Sequence, residues 1–533
     1  MVLCYNIGME NQTKIAELKA EIAGLKNEIA KLQTLNNWYL EQFRLAQHRR
    51  FGASSEKTQL PEQLGFFNEV EATADPDVPE SEPEQVLPKR KKQKGKREND
   101  YSGLPTEQVV HELPESERIC PVCGGPLHAC GHEVLRREIE IIPAQVKAVE
   151  HVQTVYTCRA CEKTSDADVL PMVKSNVPAP VIAGSGIASP SLLSFVLCNK
   201  YVLALPLYRQ EQELKRIGLG ISRQTMANWA IYAAARWLEP IYDLLKAELL
   251  LRDILHADET TMQVVKEDGR TASQKSYMWM YHTGKEAQRP IALFDYKATR
   301  HGEHPAAFLS GFRGFLHVDA YAGYKQLEER GVTIVECWAH MRRKFDDALK
   351  GMKKEGRAGS LASIGQAYCN KLFALERKYD EEQLDDEQRF RRRNLESKPF
   401  AEAFFAWAET VRAVPDSLLG KAVGYAANQR PWLMNFLRDG RLELSNNRAE
   451  RCIRPFTVGR KNWLFSFAAK GAKASAIIYS IVETAQANGL VPFMYLTLLF
   501  QTLPNIPPAR FADYLPWSPL VQDVCRIPDT VLR

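Results

Sequence analysis

Five short apolar segments between residues 253 and 338 decide the fold of this chain. They read DILHAD (253–258), SYMWMYH (276–282), PIALFDY (290–296), GFLHVD (314–319) and GVTIVECW (331–338). Each is short, apolar and bounded by polar turns, which is typical of β-strands. A short helix is predicted between the third and fourth segments, and another between the fourth and fifth. The sequence therefore predicts an α/β domain built on five strands.

The order of three strands, helix, strand, helix and strand is that of an RNase H-like domain, in which the fourth strand lies beside the first. Asp258 ends the first predicted strand and Asp319 ends the fourth. Two carboxylates at the same end of neighbouring strands can share divalent ions. A third is expected from a helix packed across that edge, and Glu450 in LSNNRAERCIRP (444–455) is the candidate.

Asp258, Asp319 and Glu450 are therefore predicted to be catalytic and to bind two Mg²⁺ (or Mn²⁺) ions. Mg²⁺ prefers oxygen ligands and retains some of its waters, so few protein carboxylates are needed. Two ions roughly 3.5–4 Å apart activate an attacking oxygen and stabilise a leaving one. Taken alone, an Asp at a strand end more often has a structural or turn role. The strand order and the spacing of all three acids favour the metal site.

Four other acids compete for the same role: Glu259, Asp295, Glu336 and Asp346. Glu259 adjoins Asp258, but neighbouring residues of a strand point to opposite faces. Asp295 ends the third predicted strand and could lie just outside the ligand set. All four rank below the chosen three acids as metal ligands.

Basic residues follow two of these elements and are predicted to contact DNA phosphates, because guanidinium groups suit phosphate oxygens. After the fifth strand come His340, Arg342, Arg343 and Lys344; after Glu450 come Arg451, Arg454, Arg460, Lys461 and Trp463. An exposed helix face is an equal alternative for the first group. Trp463 could stack on an unpaired base, although a core position is the more common role. The Arg-rich stretch 389–393 is expected to be a solvated helix face.

A helix-turn-helix pattern precedes the strands. Leu207–Ile217 is apolar-periodic and ends at glycines, and Ser222 is placed to cap a second helix, RQTMANWAIYAAARWL (223–238). Residues near the start of a recognition helix usually meet base edges. The predicted DNA-binding residues there are Arg223, Gln224 and Asn228. Helical hairpins that only pack are the alternative.

Two pairs of cysteines form CxxC motifs: Cys120 with Cys123, and Cys158 with Cys161. Paired motifs of this kind match a tetrahedral four-thiolate Zn²⁺ site. Four thiolates leave no open coordination position, so this Zn²⁺ is predicted to be structural. His128, Cys130 and His132 lie near the first pair and could replace a ligand.

The N-terminal residues 13–46 carry a heptad, with Ile at a and Leu at d, which favours a parallel two-stranded coiled coil and at least a homodimer. A single amphipathic helix is the alternative. An acidic block and then a basic block (89–97) follow, as in a disordered linker. The basic block could bind DNA nonspecifically or only increase solubility.

The composition is that of an ordinary soluble protein: 533 residues, 45% hydrophobic, 25% charged, net charge +5. No apolar run reaches the roughly 18 residues of a membrane span, so no membrane contact and a cytoplasmic location are expected. The length predicts several domains. The predicted domains are a coiled-coil helix and basic segment (1–60), a linker (61–100), a zinc-binding domain (101–175), a helix-turn-helix-like region (176–250), a catalytic domain (251–470) with a helical insertion at about 340–440, and a helical C-terminal region (471–533).

Taken together, these motifs resemble the transposases of insertion-sequence family 66. The resemblance rests on HADET (256–260), HVDAYAGY (317–324), CWAHMRRKF (337–345) and NNRAERCIRPFTVGRKNWLF (446–465), and on FGASSEK (51–57) between the heptad and the CxxC pairs. It covers nearly the whole chain from about residue 13. It implies a D-D-E triad at Asp258, Asp319 and Glu450, Mg²⁺, and an RNase H-like domain. It also implies binding to the terminal inverted repeats and target DNA, small accessory proteins of the same element, and a bacterial, nucleoid-associated location.

The leading hypothesis is thus a DDE transposase that cuts and joins DNA. Two alternatives stay open. One is a DNA-binding regulator without catalysis, which would have no need for carboxylates facing phosphates. The other is a nuclease that cleaves but does not join.

Overall fold

The structure is a computed structural model that describes Gly24, Pro114 and residues 146–157 and 172–527. The predicted heptad positions, the basic segment after them, the charged linker and the four cysteines of the CxxC pairs lie outside the described residues. Two short strands are described, one on each side of the second cysteine pair in the sequence. Strand β1 (Val155–Thr157) pairs antiparallel with β2 (Met172–Lys174).

A helical region leads into the main sheet. Its helices are α1 (Pro190–Tyr201), α2 (Leu207–Arg216), α3 (Arg223–Ala233) and α4 (Glu239–Leu250), with a π-helical turn, Ala234–Leu238, joining the last two. The predicted helix pair is confirmed. Gly218 takes the left-handed conformation (φ 85°) just after α2, where a residue without Cβ is favoured. Ser222 caps α3 by accepting a hydrogen bond from Thr225 N at 3.1 Å.

The five predicted strands are all present and form one sheet. They are β3 (Ile254–Lys266), β4 (Lys275–Thr283), β5 (Ala292–Lys297), β6 (Phe315–Val318) and β7 (Thr333–Glu336). Helix α5 (Glu303–Phe308) and a 3₁₀ helix, Ala322–Arg330, occupy the two predicted helical positions. The strand order is β5-β4-β3-β6-β7. Strand β4 is antiparallel to both of its neighbours, β3 and β5, whereas β6 is parallel to β3 and β7 is parallel to β6.

One detail of the prediction is wrong: Asp258 does not end the first strand. Strand β3 is 13 residues long and continues to Lys266, so Asp258 lies within it. The continuation is supported on both sides, because Asp258 is opposite Met280 of β4 and Val264 pairs with Ser466. Asp319, in contrast, directly follows β6 as expected.

Beyond β7 the chain forms the predicted helical insertion. Its helices are α6 (Trp338–Lys350), α7 (Leu361–Glu381), α8 (Asp386–Arg392), α9 (Lys398–Thr410) and α10 (Leu418–Leu433), with short 3₁₀ or π segments at Lys354–Gly356, Arg393–Ser397 and Met434–Arg438. Aromatic residues such as Trp338, Phe345 and Phe404 form a separate core for this unit. The core is closed by edge-to-face ring contacts, including Trp338 with Phe404 at 5.5 Å.

The expectation that residues 389–393 form a solvated helix face is wrong for Arg389 and Arg393, although Arg391 is exposed as expected. Arg393 is only 1% exposed, and Arg389 is buried as well. Arg393 donates two hydrogen bonds of 2.7 Å to the carboxylate of Glu376 and others to carbonyl oxygens of Phe436 and Leu442. A guanidinium can enter the interior when its donors are satisfied in this way. Charge composition alone did not reveal which arginines turn inward.

The chain then returns to the sheet. The remaining elements are α11 (Asn447–Trp463), β8 (Ser466–Ala468), α12 (Ala469–Ala487), α13 (Pro492–Thr502), α14 (Pro519–Cys525) and the 3₁₀ segments Leu503–Asn505 and Pro508–Tyr514. The predicted helix start at Pro492 is confirmed. Helix α12 covers the edge strand β5, whose Ala292 and Phe294 N–H groups donate to Thr484 Oγ1 at 3.0 Å and Ser480 Oγ at 2.7 Å. This contact satisfies donors that an edge strand otherwise leaves unpaired.

Candidate active site

The sheet and one helix bring three carboxylates into electrostatic contact. Asp258 lies on β3, Asp319 follows the neighbouring parallel strand β6, and Glu450 lies in the first turn of α11. The pairing of His256 with His317 sets the register of the two strands, and each Asp comes two residues after its histidine. Asp258 and Asp319 are therefore level with each other at one end of the parallel pair.

The pKa of Asp258 is raised well above its ordinary value. Burial is the largest cause, and repulsion by Glu259, Asp319 and Glu450 adds to it, while a hydrogen bond from Glu259 N at 2.8 Å opposes it. Like charges within a few ångströms disfavour the ionised form of each carboxyl. A bound cation would relieve the repulsion among these carboxyl groups.

Glu450 faces the start of α6. Its carboxylate oxygens lie 3.5 Å from Nε2 of His340 and 4.0 Å from a terminal nitrogen of Arg343. Burial lowers the pKa of His340, with Arg343 acting in the same direction and Glu450 opposing it. The fold therefore brings the start of α6, where one predicted basic group begins, next to α11. His340 and Arg343 of that group lie beside Glu450.

A cavity of about 330 Å³ opens beside Asp319. Its lining combines one carboxylate with cationic and aromatic side chains: Arg300, Asp319, Ala320, Tyr321, Ala322, His340, Lys344 and Tyr425. Asp319 Oδ1 accepts a hydrogen bond from Tyr321 N at 3.0 Å, which holds this carboxylate at the cavity wall. A cavity with this lining can take an anionic group next to a bound cation.

A buried polar network attaches the start of α11 to the strands. Asn446 donates to the carbonyl oxygen of Ala257 at 2.8 Å, and its Oδ1 lies 2.9 Å from Nδ1 of His256. Nε2 of His256 lies 3.1 Å from Glu443, which also accepts from Arg448 at 2.8 Å. Although burial opposes ionisation, these hydrogen bonds hold the pKa of Glu443 well below its usual range. The network therefore holds the N-terminal end of the Glu450 helix beside Asp258.

The donor chemistry of the three carboxylates suits Mg²⁺, which takes oxygen ligands. Among the described residues, however, no three His, Cys, Asp or Glu side chains converge closely enough to form a ready ligand cage. Asp258, Asp319 and Glu450 thus lie near enough to interact electrostatically, but they do not form a closed metal site. Asp319 and Glu450 are both about one-third exposed, and so are open to an ion from solvent.

Three of the four competing acids, Glu259, Asp295 and Asp346, are close to a cationic side chain of the protein. Glu259 is bound by Arg300 and Tyr324 on the other side of β3. Asp295 lies 3.3 Å from Lys297, and Asp346 lies 2.7 Å from Lys350. Glu336 is buried at the end of β7, where burial raises its pKa to about 8.

The predicted DNA-contact residues on α6 and α11 separate into two sets. Arg343, Arg451, Arg454 and Lys461 are exposed. Three others are partly buried. Arg342 donates to Asn370 at 2.6 Å, Arg460 donates to Thr260 at 3.0 Å, and Trp463 packs 6.5 Å from the ring of Tyr201 with Lys200 over its face. For Trp463 the alternative of a packed aromatic is the one that the structure shows.

The helix-turn-helix residues lie on an open surface. Arg223, Gln224 and Asn228 are exposed along the first two turns of α3. Gln224 donates to Asn228 at 3.1 Å, and Arg223 lies over the ring of Tyr208 from α2. The three polar groups therefore share one face of the second helix of the pair.

Sequence reasoning missed Arg300, Tyr321 and Tyr425, all of which line the cavity. Tyr321 lies inside the HVDAYAGY motif, two residues after Asp319, so its position was a usable signal. Arg300 had a weaker signal, as a lone Arg in the loop after the third strand. Tyr425 had none, because it comes from α10, over 100 residues from Asp319 in the chain.

Comparisons with known proteins assign the chain to a family. The family model described as "Transposase IS66 family" matches residues 185–474, more than half of the 533 residues. A model for the zinc-finger binding domain of transposase IS66 matches residues 117–162, which contain all four cysteines of the CxxC pairs. Residues 38–109 match "Transposase C of IS166 homeodomain", and residues 480–517 match the IS66 C-terminal element.

Relatives from Sinorhizobium fredii extend the match over most of the chain. "Uncharacterized protein y4hP" is 30% identical over 431 residues, covering 77% of this chain and 75% of the relative. "Uncharacterized protein y4jD" is 27% identical over 523 residues, covering 95% of this chain and 94% of the relative.

Among the described helices, none has the length and apolar character needed to cross a membrane. The family match, with DNA-binding and zinc-finger elements ahead of a DDE domain, leads to one conclusion: the chain belongs to the IS66 family of transposases.

Proposed function

We propose that this chain binds the terminal inverted repeats of its element and catalyses metal-dependent DNA cleavage and strand transfer. The observation that carries the proposal is the proximity of Asp319 and Glu450 to Asp258, since their repulsion contributes to the raised pKa of Asp258. The sheet order β5-β4-β3-β6-β7, in which β6 is parallel to its neighbour β3 and β7 is parallel to β6, supports an RNase H-like catalytic domain spanning about residues 251–470.

The reaction consists of two balanced displacements at phosphorus. In cleavage, a water oxygen forms the new P–O bond and loses a proton to solvent, while the P–O3′ bond breaks and the leaving 3′-oxygen takes up a proton. In joining, that 3′-hydroxyl oxygen forms a new P–O bond with a target phosphate and loses its proton to solvent, while the target's own P–O3′ bond breaks and its leaving 3′-oxygen takes up a proton. Both steps need the same alignment of attacking oxygen, phosphorus and leaving oxygen.

Asp258, Asp319 and Glu450 are the residues that would hold Mg²⁺ or Mn²⁺. When bound, two such ions lower the charge on the reacting phosphate and stabilise the attacking and leaving oxygens. The protein's part is to set the position of the three carboxylates, through the β3–β6 register and the Asn446 anchor of α11.

Three further elements complete the proposal. The helix-turn-helix face of α3, with Arg223, Gln224 and Asn228, meets DNA bases. A structural Zn²⁺ is bound by Cys120, Cys123, Cys158 and Cys161, and the zinc-finger match over residues 117–162 supports this site. A coiled coil in the N-terminal 60 residues holds at least two copies of the chain together, because two element ends must be brought together before strand transfer. Small accessory proteins of the same element could bind to that complex.

The decisive experiment measures Mg²⁺-dependent joining of the element's own end DNA to target DNA. Asp258→Asn, Asp319→Asn and Glu450→Gln should each lower joining by at least about 10³-fold, because each removes a charge from the metal site, while end binding stays within threefold. The matched control is Asp346→Asn, an acid on α6 that is paired with Lys350 and should retain joining.

Retained joining in any of the three variants would overturn the residue assignment. Cleavage without joining in the wild-type chain would indicate a nuclease rather than a transposase reaction. End binding without either step would indicate a DNA-binding regulator.

A further inference from the structure

Arg300 is anchored at both ends beside the candidate metal site. It lies in the loop between β5 and α5, and its Nε donates to Oε1 of Glu259 at 2.8 Å. Its Nη2 donates to the same oxygen. The carbonyl oxygen of Arg300 accepts from the hydroxyl of Tyr321, and the guanidinium lies 4.0 Å from the centre of that ring. The side chain is therefore held in one orientation before any ligand arrives.

The acceptor is a buried carboxylate that is itself fixed. Glu259 has a side chain that is only 2% exposed, and its second oxygen, Oε2, accepts from Tyr324 at 2.6 Å. Burial and the nearby Asp319 raise the pKa of Glu259, whereas Tyr324 and Arg300 lower it. Glu259 thus lies on the face of β3 opposite to Asp258, and it holds the guanidinium of Arg300 at the rim of the same site.

The geometry leaves one edge of the guanidinium unused. Both hydrogen bonds to Glu259 reach a single oxygen, because Tyr324 occupies the other, so Arg300 does not form the usual two-oxygen fork. Its Nη1 donates no hydrogen bond to any described residue. Arg300 remains 40% exposed and lines the cavity, where Nη2 is 3.9 Å from Oδ2 of Asp319.

A role limited to neutralising Glu259 explains only part of this arrangement. Neutralisation requires the Nε and Nη2 contacts, but it does not require Arg300 to line a cavity that also contains Asp319 and Lys344. An oriented guanidinium with free donors beside a predicted metal ligand is instead suited to a phosphate oxygen.

We propose that Arg300 binds a nonbridging oxygen of the DNA phosphodiester that reacts at Asp319, and that Glu259 is the positioning residue for it. The inference rests on the proposed function and adds a contact to it. Negative charge on the nonbridging oxygens must be stabilised as the phosphorus is attacked, and a preoriented donor does so without reorganising. Loss of one such donor typically slows the reaction by about 10²–10³-fold.

The test is single-turnover cleavage of end DNA in Mg²⁺. Arg300→Ala should lower the cleavage rate by about 10²-fold or more while the Kd for end DNA changes less than threefold. Arg300→Lys should recover only part of the rate, because an ammonium cannot serve Glu259 and a phosphate with the same planar geometry. The control is Arg510→Ala, an exposed Arg paired with Asp513 and distant in the chain, which should cleave at the wild-type rate.

A second variant separates the phosphate contact from simple charge balance. Arg300→Ala combined with Glu259→Gln removes both partners and leaves no unpaired buried carboxylate. If the single variant is slow only because Glu259 loses its partner, the double variant recovers the rate, and the inference is wrong. Continued slow cleavage in the double variant supports it.

The contacted phosphate is identified by neutral substitution. End DNA with one methylphosphonate at the reacting phosphate should slow the wild-type chain, yet slow Arg300→Ala by a much smaller factor, since the contact is already gone. Equal slowing of both proteins would overturn the inference. If the wild-type chain and Arg300→Ala cleave unmodified end DNA equally fast, the inference alone is overturned. If the wild-type chain is inactive in Mg²⁺, the proposed function and the inference are overturned together.

Discussion

The imidazole rings of His256 and His317 stack face to face, with centroids 4.3 Å apart and planes 7° from parallel. The two residues are partners in the parallel ladder of β3 and β6, and both are fully or almost fully buried. Burial and the neighbouring His256 lower the pKa of His317 well below its ordinary value, so this ring is neutral. The stack supports the strand pairing that sets Asp258 beside Asp319. These motif histidines therefore have a structural role.

Asn446 connects this histidine pair to the Glu450 helix, and its removal should affect both stability and activity. Asn446→Ala leaves His256 Nδ1 and the Ala257 carbonyl without their partner. We expect the free energy of unfolding to fall by about 1–3 kcal/mol for each group left unpaired, with slower joining because α11 loses its anchor. Urea unfolding and the joining assay measure the two effects. Asn370→Ala, at an exposed site, should change stability by less than about 0.5 kcal/mol; equal losses in both variants would contradict the prediction.

Glu483 on α12 predicts a specific pH dependence of stability. Burial raises its pKa from 4.5 to about 7. Between those values the unfolded chain ionises this carboxyl while the folded chain keeps the proton, so its contribution to stability is present below pH 4.5 and is lost as pH rises to about 7. The free energy of unfolding of Glu483→Gln, minus that of wild type, should therefore be higher at pH 8 than at pH 4 by up to about 3 kcal/mol.

Urea unfolding of both proteins at the two pH values gives this difference directly. Glu409→Gln is the control, since its side chain is 65% exposed. A Glu483→Gln effect that is the same at pH 4 and pH 8 would show that the carboxyl does not titrate abnormally.

Arg393 should be essential for the stability of the helical insertion. Its guanidinium contacts Glu376 twice and also several backbone carbonyls around residues 436–442. Arg393→Met leaves the carboxylate of the partly buried Glu376 with less compensation, and removing one partner of a buried ion pair typically lowers the free energy of unfolding by about 3–5 kcal/mol. Arg391→Met, two residues away but 72% exposed, should lose less than about 0.5 kcal/mol. Thermal unfolding of the pair checks the contrast, and similar Tm values would refute it.

Arg223 should contribute to recognition of the element ends. It is exposed at the first position of α3, where a base edge or phosphate can be reached. Arg223→Ala should weaken binding of end DNA by about 1–3 kcal/mol, and binding of random DNA by less if the contact is to a base. Arg216→Ala, at the exposed end of α2 and paired with Glu213, is the matched control. Measured Kd values that are unchanged for Arg223→Ala would exclude α3 as the reading helix.

The element order was predictable because strand and helix periodicity, caps and glycine turns are local signals. All five strands and the Ser222 cap were recovered, and the matching ends of two strands pointed to Asp258 and Asp319. The end of β3 was misjudged, since its extension depends on pairing with Ser466 and Ala468 from a segment some 200 residues away. The burial of Arg389 and Arg393 was also missed, because a run of charged residues has the same sequence pattern whether its side chains face water or pair with Glu376.

By itself, the sequence determined the order of the elements, the family and three acids as candidates for the metal site. Only the tertiary structure decided which cation stands beside them. Glu259 and Arg300 are 41 residues apart, and neither forms a motif with the other in the chain. Their contact exists because β3 and the loop after β5 meet at one end of the sheet, where a buried carboxylate requires a partner and leaves that partner's other edge open to the cavity.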